Sequence, residues 1–387
     1  MTVKNKCLAQ DALFLRPTFA QINLGALKSN LKKARALFEA RSKKYLTSRK
    51  PKIMLLVKAN AYGHGAELIS SYVQKEKLCD FLAVASIEEG AALRARGIKL
   101  PILVLGSIYP LEAFEHALKN DLSVTIASVR AAKFIVSLAQ KLKIKARCHV
   151  KQETGMNRIG SRKPAALEIL RVLNSSPYVC VEGVYSHLSS AAEDEKYTNM
   201  QVKYFNEFLA MAEEEGLSCG IKHISASPAF IKYPKLGYDM IRLGHLAYGL
   251  EEGYKPVLSL RSKVVFIKDV RGGAGVSYGH TYFCPQAAKI ATIPVGYGDG
   301  YFRCLSNKAQ VLIKGVACPV IGNITMDMLM CDITALGDIP VGSEAVLIGS
   351  QGKREITAAC LAKLAGTIDY EILTAISARV LRFGVLR

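Results

Sequence analysis

The residue with the clearest chemical potential is a lysine directly behind an apolar run. In IMLLVKANAYGHG, Ile53 to Gly65, Lys58 follows a stretch that reads as a buried strand. Barrel enzymes build their active sites at the C-terminal ends of such strands, and a primary amine there can form a Schiff base with an aldehyde cofactor. Position alone makes such a lysine an ordinary exposed charge, so its neighbours have to decide. Four further segments place chemically useful side chains at predicted strand ends: HVKQETGMNRIG (His149 to Gly160), GVYSHLSSAAEDE (Gly183 to Glu195), HISASPAF (His223 to Phe230) and MIRLGHLAYGL (Met240 to Leu250). The planar guanidinium of an arginine such as Arg158 keeps its proton and suits two-point recognition of a carboxylate. A lone histidine is ordinarily structural, and seventeen tyrosines make any single one unremarkable without its context.

These segments need a scaffold that brings strand ends together. Up to about residue 250, short β-branched runs alternate with amphipathic stretches, the pattern of repeated βα units around a parallel sheet. The expected strands are Thr18 to Asn23, Ile53 to Val57, Phe81 to Ala85, Ile102 to Leu105, Ser123 to Ile126, Ala146 to Lys151, Val179 to Tyr185, His223 to Ser225 and Met240 to Arg242. From Leu24 to Ala40, Leu24, Leu27, Leu31, Ala34 and Phe38 recur at helical spacing opposite a lysine-rich face. Eight or nine strands in series suit a closed (β/α)8 barrel, of the TIM type, better than an open sheet. Past Tyr254, runs such as Ser262 to Ile267, Lys289 to Pro294, Ala309 to Ile313 and Ala345 to Ile348 are broken by Gly, Asp and Pro, with little helical periodicity before about Thr357. The reading is an α/β chain: an N-terminal barrel over 1–254 and a C-terminal, mainly β-strand domain over 255–387.

The bulk properties narrow the class. A chain of 387 residues buries a large core without disulfide or metal staples. Its ten cysteines, Cys7 to Cys360, stand singly, with no CxxC or HExxH spacing to suggest zinc, and read as reduced thiols. No segment approaches the roughly 18 apolar residues needed to cross a bilayer, and the three-residue run Leu13 to Leu15 is too short for a secretory core. The default expectation is a cytoplasmic protein without a membrane partner. The net charge of +20, locally dense in KKYLTSRKPK from Lys43 to Lys52, is spread along the chain without interleaved aromatic residues. It reads as a solvated cationic surface with no nucleic-acid partner.

VKANAYGHG resembles the pyridoxal-phosphate lysine motif of the alanine racemases, fold-type III pyridoxal-phosphate enzymes, and the other segments resemble further motifs of that family in the right order. The resemblance implies that Lys58 carries pyridoxal 5'-phosphate and that Tyr62, Ser227, Gly244 and His245 hold its phosphate. It implies that Arg158 contacts the phenolic oxygen and the substrate carboxylate, that His187 packs against the cofactor ring and that Arg242 faces the pyridine nitrogen. Because arginine stays protonated, it donates a hydrogen bond to that nitrogen but hardly a proton, and the ring stays a weaker electron sink. Lys151 stands where many members carry a carbamylated lysine. GVSYGHTY (Gly275 to Tyr282) resembles the segment of the second catalytic residue, here Tyr278, whose phenol would be tuned by a positive network of His187 and Arg242. IPVGYGDGY (Ile293 to Tyr301) and GNITMDM (Gly322 to Met328) match as well, the latter putting Met326 and Asp327 at the substrate.

The implied activity is two-base racemisation of L- and D-alanine by an isomerase that supplies D-alanine for peptidoglycan. The implied assembly is a homodimer with shared active sites, in which Tyr278, Met326 and Asp327 reach the partner's barrel. Glu153, Ala226, Asn323, Thr325 and Ala378 depart from the family pattern. The alternatives are a racemase of serine, lysine or several amino acids on the same scaffold, and a non-catalytic pyridoxal-phosphate carrier, against which the β domain with Tyr278 argues.

Overall fold

The computed structural model describes residues 15–45 and 50–386. Cys7, the start of the Leu13 to Leu15 run and residues 46–49 of the basic stretch lie outside them. Two compact units emerge, one of residues 28–59 and 69–247, the other of residues up to 27, 60–68 and 248 onward.

The first strand, β1 (Phe19–Asn23), belongs to the second unit. In the first, eight strands run in parallel: β2 (Lys52–Leu56), β3 (Phe81–Val84), β4 (Ile102–Val104), β5 (Ser123–Ile126), β6 (Ala146–Lys151), β7 (Val179–Tyr185), β8 (Ile221–His223) and β9 (Met240–Leu243), in the order β8-β7-β6-β5-β4-β3-β2-β9. Asp239 N donates to Lys222 O, Arg242 N donates to Ser225 O, and Ala226 bridges Arg242, so the two edge strands meet and the sheet curls into a nearly closed barrel. Helices fill the connections, and several start where a side chain caps free amides: Ser128 accepts from Ala131 N, and Asp194 from Tyr197 N. The helix predicted from Leu24 to Ala40 runs longer, Leu24–Tyr45, with Leu27, Leu31, Ala34 and Phe38 all buried.

Part of the barrel interior is dry, with Met54, Phe81, Ala83, Leu103 and Met240 packed together, each large side chain contributing about 2 kcal/mol by leaving water. The rest is polar: His149, Lys151, His223 and Arg242 are all buried. Charged and imidazole side chains inside a barrel are costly unless they are bonded or used, and they mark where function sits.

The second unit is mainly β. Its strands are β10 (Leu258–Lys263), β11 (Phe266–Val270), β12 (Gly275–Val276), β13 (Tyr282–Phe283), β14 (Ala288–Ile293), β15 (Gln310–Ile313), β16 (Val316–Pro319), β17 (Leu329–Asp332), β18 (Glu344–Gln351), β19 (Arg354–Ile356) and β20 (Leu381–Val385). Seven form one sheet, β16-β15-β18-β10-β1-β20 with β19 on β18; β11-β14-β17 form a second, and β12 pairs with β13. The strand expected at Thr18 to Asn23 therefore lies outside the barrel, antiparallel to β10 and parallel to β20. Among the described residues no helix is long and apolar enough to cross a membrane, and no cluster of His, Cys, Asp or Glu could hold a metal ion. The nine described cysteines are free.

Candidate active site

Lys58 leaves the end of β2 and opens a turn of unusual hand. Ala59, Asn60, Ala61 and Tyr62 all have φ between 50 and 55°, and Gly63 follows at 81°. Left-handed backbone costs an L-residue about 1–2 kcal/mol each, so the surroundings must enforce it. Glu89 is one such constraint, because its carboxylate accepts from Ala59 N at 2.6 Å and from Ala85 N at 2.7 Å, tying the turn to the end of β3. Ser86 caps the helix Ile87–Ala95, which carries Glu89. The sequence reading missed Glu89, although Ser86 followed three residues on by Glu89 is a helix-start signature that singles it out.

Lys58 has no hydrogen-bond or ion-pair partner among the described residues. Its pKa lies below that of a free lysine, chiefly through burial, then through Arg158, with Glu89 opposing. Around it the barrel gathers cations. Lys151 is buried, sits 5.5 Å from the centre of the Tyr185 ring, and is pushed down to about 8 by burial and then by Arg158 and Arg242. Arg158 is exposed and likewise unpaired. Arg242 is buried and donates to His223 Nδ1 at 2.9 Å, to His187 Nδ1 at 3.0 Å and to the carbonyls of Ser186 and Ile224. His187 is driven well below its usual pKa by burial and then by Arg242. It is therefore neutral, and the positive charge expected of the His187 and Arg242 pair rests on the arginine.

Ser227 is buried beside the turn after β9, where its Oγ accepts from Gly244 N at 3.4 Å and Leu246 N at 3.2 Å. With both lone pairs engaged, its proton is left to donate to an anion. His245 sits in the same turn, and Ala226, the residue before Ser227, makes the bridge to Arg242.

The second unit holds the other expected residues. Tyr62 packs its ring 5.3 Å from Tyr248 and 5.4 Å from Tyr370, and burial pushes its phenol up to about 12, so the phenol keeps its proton. Tyr278 is 75 % exposed. Its loop is clamped by Asn323, whose Nδ2 donates to Tyr278 O at 2.8 Å while Ser277 Oγ donates to Asn323 O at 2.6 Å. The departure at Asn323 thus has a local use. Met326 is also exposed, and Asp327 accepts from Arg379 at 2.6 Å. Thr325 holds its own turn by bonding with Met328, and Ala378 is exposed.

The barrel residues fit a phosphate-bearing aldehyde on the chemistry of the donor set. One amine with a lowered pKa, one unpaired guanidinium and a second buried amine lie within electrostatic reach of one another, with no carboxylate bonded to them among the described residues, and Ser227 keeps a spare proton. A parallel barrel with such a lysine at a strand end defines a pyridoxal-phosphate enzyme of the barrel type.

Comparison with known proteins agrees. Residues 22–252 match the N-terminal domain model of alanine racemase, and residues 257–383 match the C-terminal domain model. The chain is 40 % identical over 376 residues to an alanine racemase of Halothermothrix orenii, covering 95 % of this chain and 96 % of that one. Among solved structures it is similar to an alanine racemase of Clostridium difficile (TM-score 0.87, 39 % identity, 95 % and 96 % of the two chains). It is also similar to that of Bacillus anthracis with bound L-Ala-P (TM-score 0.87, 32 % identity, 97 % and 96 %). The chain belongs to the alanine racemase family.

Proposed function

We infer that the enzyme is a pyridoxal-phosphate-dependent alanine racemase in which Lys58 and Tyr278 serve as the two bases. The observation that carries this reading is Lys58 itself, unpartnered at the end of β2 and flanked by the unpaired Arg158, in a chain whose two parts both match the family. Bound through Lys58, pyridoxal phosphate supplies the electron-withdrawing ring that makes the Cα–H bond of an attached amino acid acidic.

The protein's own groups do the rest. Arg158 holds the substrate carboxylate by paired N–H donors. Ser227, the amides of Gly244 and His245, and Tyr62 hold the phosphate. Arg242 would hold the ring nitrogen by an N–H donor and, keeping its own proton, would limit how much negative charge the ring accepts. Lys58 Nζ, with its lowered pKa, accepts and returns a proton at Cα on one face. Tyr278 Oη does the same on the other face, which is the condition for inversion.

The exposure of Tyr278 and Met326 supports their reaching into a partner's barrel, so the working form is a homodimer with two shared sites. Asp327 shapes the substrate side of the same loop, and Lys151, carrying a carbamate, steadies Arg158. A cytoplasmic enzyme of this kind supplies D-alanine for peptidoglycan.

Reduction with borohydride should fix the cofactor to Lys58, and the protein should convert L-alanine to D-alanine faster than L-serine or L-lysine. Tyr278→Phe should lose inversion while keeping the reduced label. Full-speed inversion by that variant, or label on another lysine, refutes the reading.

A further inference from the structure

Arg242 is buried and, among the described residues, has no carboxylate bonded to it, an expensive state for a guanidinium. Its charge is answered at a distance. From Arg242 a line of hydrogen bonds crosses the polar part of the barrel through three neighbouring strands. Arg242 meets His223 Nδ1 at 2.9 Å, His223 Nε2 meets His149 Nδ1 at 3.0 Å, and His149 Nε2 meets a Glu182 carboxylate oxygen at 3.0 Å.

The direction of every bond follows from the two ends. A guanidinium has only donors, so His223 Nδ1 must accept and its proton must sit on Nε2. That proton is donated to His149 Nδ1, which puts the His149 proton on Nε2, pointing at a carboxylate that can only accept. Two neutral imidazoles therefore link a cation to an anion with all their donors aligned, the arrangement in which each bond polarises the next.

The surroundings are built for this line. Tyr185 lies parallel to the His223 ring, 4.8 Å between centres, and fixes its plane. A Cβ on Gly183 would come within 2.6 Å of His149 Nδ1, so glycine leaves the space the histidine pair occupies. Ser123 Oγ donates to the same Glu182 oxygen at 2.5 Å and Arg147 stands 3.7 Å from the other; against burial, the bond from His149, then Ser123 and Arg147, hold the Glu182 carboxyl below its usual pKa.

We propose that Glu182 is a positioning residue for Arg242, acting through His149 and His223 as a one-way hydrogen-bonded chain that fixes the orientation and charge of the guanidinium. The proposal rests on the reading of Arg242 as the group facing the cofactor ring. Glu182 touches neither substrate nor cofactor, and its influence arrives through the two rings.

The test uses holoenzyme labelled with 15N in histidine. In the wild type, His223 and His149 should both show unprotonated Nδ1 and protonated Nε2; a His223 proton on Nδ1 overturns the proposal without any variant. In Glu182→Gln, the nitrogen signals of both histidines should shift. The absorption band of bound cofactor should move, and kcat should fall about tenfold at nearly unchanged KM, the loss expected for one charged hydrogen bond. A response confined to His149, or an unchanged band and kcat, overturns the proposal while borohydride label on Lys58 leaves the site reading standing. Wild-type enzyme without label on Lys58 overturns both.

Discussion

Glu89 should govern both the rigidity and the ionisation of Lys58, and Glu89→Gln separates the charge from the shape. In the native protein each carboxylate oxygen takes one backbone amide, from Ala59 and from Ala85. A glutamine offers one carbonyl oxygen and one NH2 group, so one amide keeps an acceptor and the other faces a donor. Bonds to a charged acceptor contribute about 1.5–3 kcal/mol each, and Ala59 in the turn and Ala85 after β3 are both exposed, so the lower end applies. A loss of about 1.5 kcal/mol is about a tenfold rise in local opening. Hydrogen exchange at Ala59 and Ala85 should accelerate by that factor while the barrel strands stay protected. The variant also removes the one influence that raises the Lys58 pKa against burial and Arg158. Lysine captures an aldehyde as the free base, so the pH midpoint for cofactor uptake by the apoenzyme should move down. Unchanged exchange, or a midpoint that moves up, refutes the reasoning.

Arg158→Ala should cut kcat/KM for alanine about 100-fold, the upper range for a charge-assisted bond, mainly through KM. With 13C-bicarbonate, Lys151 should show a carbamate carbon signal, absent in Lys151→Arg, because a pKa of about 8 leaves neutral amine at physiological pH. Gly63→Ala should prevent stable folding of the turn, since a Cβ there runs into the Leu373 carbonyl and the backbone is left-handed; a soluble variant with normal cofactor uptake contradicts this. His64 is buried and held down to about 4 by burial. The unfolded chain therefore binds more protons than the native one between about pH 6.5 and 4, and stability falls as pH drops through that window, by about 3 kcal/mol at most. Urea unfolding of His64→Gln should show a flatter dependence there.

Several barrel strands were legible in the sequence: β5, β6 and β7 fall where the short β-branched runs put them. Position in the fold was harder. The run at Thr18 to Asn23 reads like any barrel strand, because pairing partners at Leu258 to Arg261 and Leu381 to Val385 are hundreds of residues away and leave no local trace. The run Ser262 to Ile267 reads as one strand but is split between two sheets: Val264 N bonds Ser343 O while Val265 N bonds Thr292 O. The strand expected at His223 to Ser225 starts two residues earlier, and Ser225 instead closes the barrel through Arg242. The motifs singled out Lys58, Arg158, His187, Ser227 and Arg242 as candidates. Glu182, His149 and His223 were missed as a group, though polar residues inside otherwise apolar strands were the available signal.

The backward twist after Lys58 has an unexpected stereochemical corollary. Ala59 sits at φ 50° with its methyl group exposed, a conformation uncomfortable for an L-residue and relaxed for its mirror image. A semisynthetic chain carrying D-alanine at that single position should form the loop more readily than the natural one. The product ascribed to this enzyme would then suit its own polypeptide, at that point, better than the substrate from which it is made.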